Sequence, residues 1–328
     1  AVVGASGAGK TTLLRAVPRL APVRAGRVRV ARPGAPPRDV TALPPERRDA
    51  VYLHQTPTPF GHLTVRENVA FPLRLRGVRG AELARQVDAA LALVRLEALG
   101  DRMPHTLSGG QRHRVTLARA VAARPAVLLL DEPLSSLDPS LRDEVRGAIV
   151  GAQEDAGAAL VLVTHDLDEA GLVAHRVAVL AERRLLQVAP PAALFARPAS
   201  LAVARFLGVG AEVPGRADAG LFRSALGTCP ARGVPDGPAV AVARPDVLTL
   251  TVIGAGDDDG PVDDGAAGTV LAVRHRARQT AARVRLDGAP GDAPPAVVEV
   301  TVAPGDAPAA GARVRVRADP GALSIFPA

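Results

Sequence analysis

The chain has 328 residues, enough for two domains and a large buried core. Its net charge is +7, yet aromatic residues make up only 2% and the arginines are dispersed, which argues against a basic stripe and stacking platforms for nucleic acid. One cysteine, Cys229, excludes a disulfide framework and suits a reducing cytoplasm; no signal peptide or bilayer-length apolar run is found, so a membrane role must come through a partner.

Ala1-Val2-Val3 reads as the end of a buried strand. Because the chain starts with Ala, and in mid-strand, a further N-terminal piece is expected. Gly4-Ala5-Ser6-Gly7-Ala8-Gly9-Lys10-Thr11 follows, and a helix is predicted over about 11–17. The spacing G-x-x-x-x-G-K-[ST] between a strand and a helix is that of a phosphate-binding loop. Lys10 is the only lysine, the other basic residues all being arginine. A compact ammonium on a flexible stem suits a tight backbone cradle, where a forked guanidinium does not. The N–H groups of Ser6 to Lys10 are expected to form an anion nest at a helix N-terminus. Lys10 would bridge the β- and γ-phosphates and the Thr11 hydroxyl would ligate Mg²⁺, which makes this a nucleoside triphosphate site.

Residues 27–30 read as a strand, followed by a Pro-rich loop through Pro44-Pro45. Val51-Tyr52-Leu53 is a short buried strand that delivers His54-Gln55. Residues 64–98 carry apolar positions at helical spacing and suggest a helical insertion. A further helix is expected over 109–124, ending before Pro125. Val127-Leu128-Leu129-Leu130 has the continuous apolar character of a parallel strand covered on both faces, with Asp131-Glu132 at its C-terminal end. That is the sheet edge where ligands bind, so Asp131 is expected to hold Mg²⁺, directly or through water, and Glu132 to polarise the attacking water. A helix over 141–156 and a strand over 159–163 complete a β-α-β-α alternation, the pattern of an α/β domain on a parallel sheet.

After Gly208 the helical period fades. Short alternating runs appear at 240–242, 270–273, 298–302 and 313–317, the pattern of a small β-barrel or sandwich. The acidic cluster Asp257-Asp258-Asp259 with Asp263-Asp264 has no later Glu at calcium-loop spacing and reads as a solvated loop.

Leu107-Ser108-Gly109-Gly110-Gln111 is the most specific stretch, expected by chance in roughly one in ten thousand chains of this length. With it the chain resembles the ATP-binding cassette (ABC) family over residues 1–208, the pentapeptide standing as the family's signature loop. Gln55 resembles its Q-loop glutamine, Ser135-Ser136-Leu137-Asp138 its D-loop, and His165 in Val163-Thr164-His165-Asp166 its switch histidine. The resemblance implies a P-loop ATPase domain with a helical subdomain over about 64–124, then a small all-β barrel over 209–328. It also implies a head-to-tail dimer that sandwiches two ATP molecules. Gly4, Ala5, Ser6, Gly7, Ala8, Gly9, Lys10, Thr11 and Thr12 of one subunit would meet the nucleotide, as would Ser108, Gly109, Gly110, Gln111 and Asp138. Thr11, Gln55 and Asp131 would hold Mg²⁺, and Glu132, His165 and Gln55 would serve hydrolysis. Binding closes such a pair and hydrolysis opens it, so the γ-phosphate acts as a switch.

Looser matches narrow the type. Leu43-Pro44-Pro45-Glu46-Arg47-Arg48-Asp49, the run from His62 to Arg74, the stretch 187–198 and Phe206-Leu207-Gly208 resemble importers of the ferric, polyamine, sulfate, molybdate and sugar groups. Ala243-Arg244-Pro245-Asp246 resembles part of their C-terminal oligonucleotide-barrel-like (TOBE) regulatory domain. The implied partners are a second copy, two transmembrane permease subunits met through 56–75 and, indirectly, an extracytoplasmic solute-binding protein. The implied place is the cytoplasmic face of the cell membrane, with no nucleic-acid partner. Three departures stand out: the adenine-stacking aromatic falls upstream of the loop and outside this sequence, Gly61 stands where Pro is common, and His113 where a second Gln is frequent. A soluble cassette protein acting on ribosomes or nucleic acid is the alternative, but such proteins carry two cassettes or a long coiled-coil insertion. An exporter ATPase fits the β-rich tail less well, and a simple kinase has no use for the pentapeptide.

Overall fold

The computed structural model of the chain describes residues 1–135, 137, 139–208, 210–254, 265–276, 279–287 and 296–328. Ser136, Asp138 and the acidic cluster from Asp257 to Asp264 lie outside them. Two compact units are present, Ala1–Pro191 and Ala192–Ala328.

The strands of the first unit are β1 (Val2–Val3), β2 (Arg29–Val30), β3 (Arg38–Asp39), β4 (Ala50–Leu53), β5 (Val127–Asp131), β6 (Ala159–Val163), β7 (Val177–Ala181) and β8 (Arg184–Ala189). Its helices are α1 (Lys10–Ala16), α2 (Val65–Leu75), α3 (Gly80–Leu93), α4 (Gly109–Ala122), α5 (Pro139–Ala156) and α6 (Leu167–Val173). The main sheet has the order β4-β5-β6-β1-β7-β8, parallel except for β8, which returns antiparallel to β7. Strands β2 and β3 form a separate ribbon.

The apolar run of β5 explains how this sheet is covered. Successive side chains of a strand point to opposite faces. Leu128 and Leu130 join a core with Val65, Val69, Leu73, Leu91 and Val115 from α2, α3 and α4. Val127 and Leu129 join a second core with Leu14, Val30, Val40 and Leu180. Asp131 shares the parity of Leu129 and is directed to the side of the sheet where α1 lies. Both faces are thus buried, as a hydrophobic parallel strand requires.

The insertion read at 64–98 is two helices, α2 and α3. A reciprocal cap between Thr64 and Glu67 opens α2, where the Thr64 side chain accepts from the Glu67 amide and the Glu67 carboxylate accepts from the Thr64 amide. Arg48 is almost fully buried, and its guanidinium donates to the carbonyls of Ala16, Val17, Thr41 and Leu43. It thereby ties the end of α1 to the Pro-rich loop. Among the described residues, no helix is long and apolar enough to cross a membrane.

Helices α7 (Pro191–Ala196) and α8 (Leu201–Leu207) precede ten strands: β9 (Ala211–Asp218), β10 (Leu221–Ser224), β11 (Gly227–Pro230), β12 (Gly237–Ala243), β13 (Leu248–Val252), β14 (Ala266–Arg276), β15 (Gln279–Leu286), β16 (Val297–Val302), β17 (Arg313–Ala318) and β18 (Ser324–Pro327). They form two antiparallel sheets, β11-β10-β9-β12-β18 and β13-β17-β14-β15-β16. Both face one core that includes Val213, Phe222, Ala241, Val284, Val298, Val314 and Val316. The second unit is therefore all-β in its sheets, as its alternating runs predict. Cys229 is a free, buried thiol in that core.

Candidate active site

Strands β1, β4, β5 and β6 run parallel, so their C-terminal ends deliver Gly4, Gln55, Asp131-Glu132 and His165 to one edge of the sheet. Gly4 must lack a side chain, because a Cβ there would stand 2.1 Å from the Leu180 carbonyl oxygen of β7. Gly7 and Gly9 have φ of 78° and 102°, left-handed values that turn the backbone into a cradle before α1. Lys10 is 9% exposed, and its Nζ donates to the carbonyls of Gly4 at 2.7 Å and Ala5 at 3.0 Å. The ammonium is folded back over its own loop. Ala5, Ser6 and Gly7 are exposed along that loop, Ala8 is buried behind it, and Thr12 is exposed on α1.

Thr11 Oγ1 donates to Asp131 Oδ1 at 3.2 Å, joining the loop to β5. The other carboxylate oxygen is taken by a residue that the sequence reading passed over. Tyr52 Oη donates to Asp131 Oδ2 at 2.8 Å and accepts from Arg15 Nε at 3.3 Å. Burial pushes the Tyr52 phenol above its ordinary value, the Arg15 hydrogen bond opposes that shift, and Asp131 adds to it. The strand register sets this contact: Tyr52 pairs with Leu129, which shares a sheet face with Asp131.

Glu132 takes a left-handed backbone conformation, φ 49°, with its amide donating to Val163 O at 2.9 Å. A non-glycine residue held there costs on the order of 1–3 kcal/mol, a strain that gathers at functional sites. Its carboxylate is gripped from two neighbouring strands: Gln55 Nε2 donates to Oε2 at 2.8 Å, and His165 Nδ1 lies 3.3 Å from Oε1. Gln55 is thus engaged with Glu132 rather than with the Thr11–Asp131 pair.

Behind His165, the Thr164 hydroxyl donates to the Glu169 carboxylate and accepts from the Asp166 amide at 3.0 Å. Asp166 caps α6 by accepting from the Glu169 amide at 3.0 Å. Glu169 is buried, which pushes its carboxyl up; Asp166 reinforces that shift, whereas the Thr164 hydrogen bond, Arg146 and His165 counter it. A small cleft beside these groups is lined by Glu132, Ser135, Arg142, His165 and Asp166 among others.

The pentapeptide stands elsewhere. Ser108 caps α4, accepting from the Gln111 amide at 3.2 Å, while its own amide donates to Gln111 Oε1 at 2.9 Å. Ser108 and Gly109 are exposed, and Gly110 is partly exposed. Among the described residues, no hydrogen bond or ion pair joins 108–111 to the phosphate loop, Asp131 or Glu132. His113, one turn on, is buried in α4, which lowers its pKa.

The donors fit Mg²⁺. A hydroxyl and a carboxylate from adjacent elements are hard oxygen ligands, and this ion takes few protein ligands beside substrate phosphates. No group of three or more His, Cys, Asp or Glu side chains arranged to hold a metal ion by themselves is found among the described residues.

A family model described as ABC transporter matches residues 1–135. A Fe(3+) ions import ATP-binding protein of Rhizobium meliloti is 38% identical over 268 residues, 80% of this chain and 74% of that protein. The chain belongs to the ABC transporter family. A sulfate/thiosulfate import ATP-binding protein of Caulobacter vibrioides is 39% identical, over 77% of this chain and 75% of that protein. A spermidine/putrescine import ATP-binding protein of Chromobacterium violaceum is 43% identical, over 62% of this chain and 55% of that protein. The chain spans about half the length of that relative and of its Frankia alni counterpart, of which 43% is matched. Among solved structures, the dimeric, post-hydrolysis ATP-binding cassette MJ0796 bound to ADP and Pi matches 58% of this chain and 84% of its own, with TM-score 0.52 and 27% identity. The ABC ATPase fold therefore accounts for the parallel sheet and its loop-bearing edge.

Proposed function

We propose that this chain is the ATP-hydrolysing, nucleotide-binding subunit of an ABC importer, with residues 1–208 as its ATP-binding domain and 209–328 as a TOBE-like regulatory module. The observation that carries the reading is the grip of Gln55 and His165 on the two oxygens of Glu132, one residue beyond an aspartate tied to the phosphate loop. Three side chains from three strand ends converge on one carboxylate, which supports a role for it in directing water at a γ-phosphate.

In this reading the loop amides of Ser6 to Lys10 and the Lys10 ammonium hold the triphosphate, exchanging the Gly4 and Ala5 carbonyls for phosphate oxygens. Thr11 and Asp131 would hold Mg²⁺, which when bound would offset the negative charge of the triphosphate. Glu132 orients the attacking water and accepts its proton, and His165 and Gln55 hold Glu132 in place. Positioning and charge neutralisation supply most of the catalysis in phosphoryl transfer, so a site built of holders rather than nucleophiles suits it. Ser108, Gly109, Gly110 and Gln111 serve the site of a second copy. The lack, among the described residues, of any hydrogen bond between them and this chain's own loop, and the dimeric form of the MJ0796 cassette, support that arrangement.

The names of these relatives favour a polyamine, ferric ion or sulfate/thiosulfate as the solute. The chain would sit on the cytoplasmic face of the membrane, bound to two permease subunits, with a solute-binding protein acting across them. The test is reconstitution of the chain with its permease subunits in vesicles. ATP hydrolysis should rise when one solute-loaded binding protein is added. Hydrolysis indifferent to permease and binding protein, together with co-purified RNA or DNA, would overturn the importer reading.

A further inference from the structure

Tyr52 is the only tyrosine of the chain, and no tryptophan is present. Its place is set by the sheet: β4 and β5 are adjacent and parallel, Tyr52 pairs with Leu129, and Asp131 follows two residues later on the same face. The helix α1 faces that side of the sheet and presents Thr11 and Arg15, one turn apart, toward the same spot. The result is a relay in which Arg15 Nε donates to Tyr52 Oη at 3.3 Å and Tyr52 Oη donates to Asp131 Oδ2 at 2.8 Å.

The direction of that relay is forced. A guanidinium only donates and an ionised carboxylate only accepts, so the single phenol proton must point at Asp131. The terminal torsion of an aspartate is broad, and a carboxylate held by one hydrogen bond can swing. Here Thr11 holds Oδ1 at 3.2 Å and Tyr52 holds Oδ2, which fixes the plane of the group. The interposed phenol is neutral. It orients the carboxylate while keeping the Arg15 cation one group away, so the guanidinium does not compete with a metal ion for the carboxylate oxygens.

We propose that Tyr52 is a positioning residue of the metal site, locking the Asp131 carboxylate by one oxygen so that the other is presented beside the Thr11 hydroxyl. This rests on the reading of Asp131 as a Mg²⁺ holder. Outer partners of metal-binding carboxylates are worth about 10- to 100-fold in metal affinity or activity.

The test uses the purified chain with a non-hydrolysable ATP analogue and Mn²⁺ as the probe, free Mn²⁺ being counted by its paramagnetic resonance. Tyr52→Phe keeps the ring and removes the hydroxyl. It should weaken Mn²⁺ binding about tenfold while nucleotide affinity measured in a chelator and the melting temperature stay as in the wild type. Asp131→Asn separates the two levels of the argument. If Asp131→Asn weakens Mn²⁺ binding and Tyr52→Phe does not, the positioning role is wrong and the metal assignment stands. If Asp131→Asn leaves Mn²⁺ binding intact, the metal assignment fails and takes the proposal with it. A second measurement needs no variant: the tyrosine band in the emission of this sequence comes from Tyr52, so adding Mg²⁺ to the nucleotide complex should change it. Emission that ignores the metal would overturn the proposal even if Tyr52→Phe failed to fold.

Discussion

His165 Nδ1 lies 3.3 Å from Glu132 Oε1, while Gln55 Nε2 donates to the second oxygen of the same carboxylate at 2.8 Å. Glu132→Gln replaces the charged acceptor with a near-isosteric amide that cannot take a proton. Hydrolysis should fall about 10²- to 10⁴-fold, the usual worth of a general base, with ATP affinity unchanged and the closed dimer accumulating. Steady-state phosphate release and equilibrium nucleotide binding check it, and turnover near the wild-type rate would remove Glu132 from its assigned role.

Ser108 gives a case in which stability and activity can be separated. Its side chain caps α4 through the Gln111 amide at 3.2 Å, so Ser108→Ala should cost about 1 kcal/mol of stability. Ser108→Asp keeps the cap and adds a charge that a second copy's γ-phosphate would repel. Its melting temperature should match the wild type while hydrolysis drops about 10²-fold. If both variants hydrolyse ATP at the wild-type rate, the pentapeptide does not complete a partner's site.

Much of this site was legible because its chemistry is concentrated in short contiguous strings. Lys10, Asp131, Glu132, Ser108 and His165 each sit in a run whose residue types are needed side by side. Tyr52 was not legible, since its bond to Asp131 depends on which strand lies next to β5 and in what register. The environment of Gly4 was equally hidden: its lack of a side chain is demanded by Leu180, far along the chain on β7. In the second unit the runs of β16 and β17 stood out because inward and outward residues alternate along them, whereas β12 is buried along its last five residues. Strands β10 and β11 are only four residues each, too short for a two-residue period to emerge. The burial of Arg48 by four carbonyls could not be read from a Pro-rich loop at all.

The Gly4 contact yields its own test. A methyl group placed 2.1 Å from a backbone oxygen cannot be relieved by a side-chain rotation, so either the loop or β7 must shift. Gly4→Ala should cost about 1–3 kcal/mol, in the range of overpacked sites, and should weaken nucleotide binding because the cradle moves with its first residue. Gly61→Ala is the control, because a Cβ there meets nothing within 4 Å. Equal melting temperatures for the two variants would show that the Leu180 approach does not constrain the loop.

Glu169 predicts a pH dependence of stability. Its burial raises the carboxyl above the ordinary value of 4.5, with Asp166 adding to the shift while Thr164, Arg146 and His165 oppose it. Between the unfolded and folded values the native state binds more protons than the unfolded chain, so stability falls as pH rises through that window. The contribution of the buried neutral acid is complete below 4.5 and is lost as the pH passes the raised folded value. Glu169→Gln keeps a neutral hydrogen-bonding group at all pH values and should remove this slope. Melting curves from pH 5 to 8 should therefore show the variant gaining on the wild type as pH rises. Repeating the comparison in a His165→Gln background removes the imidazole's share. Parallel curves across the whole range would mean that Glu169 ionises in the folded protein as it does in the unfolded chain.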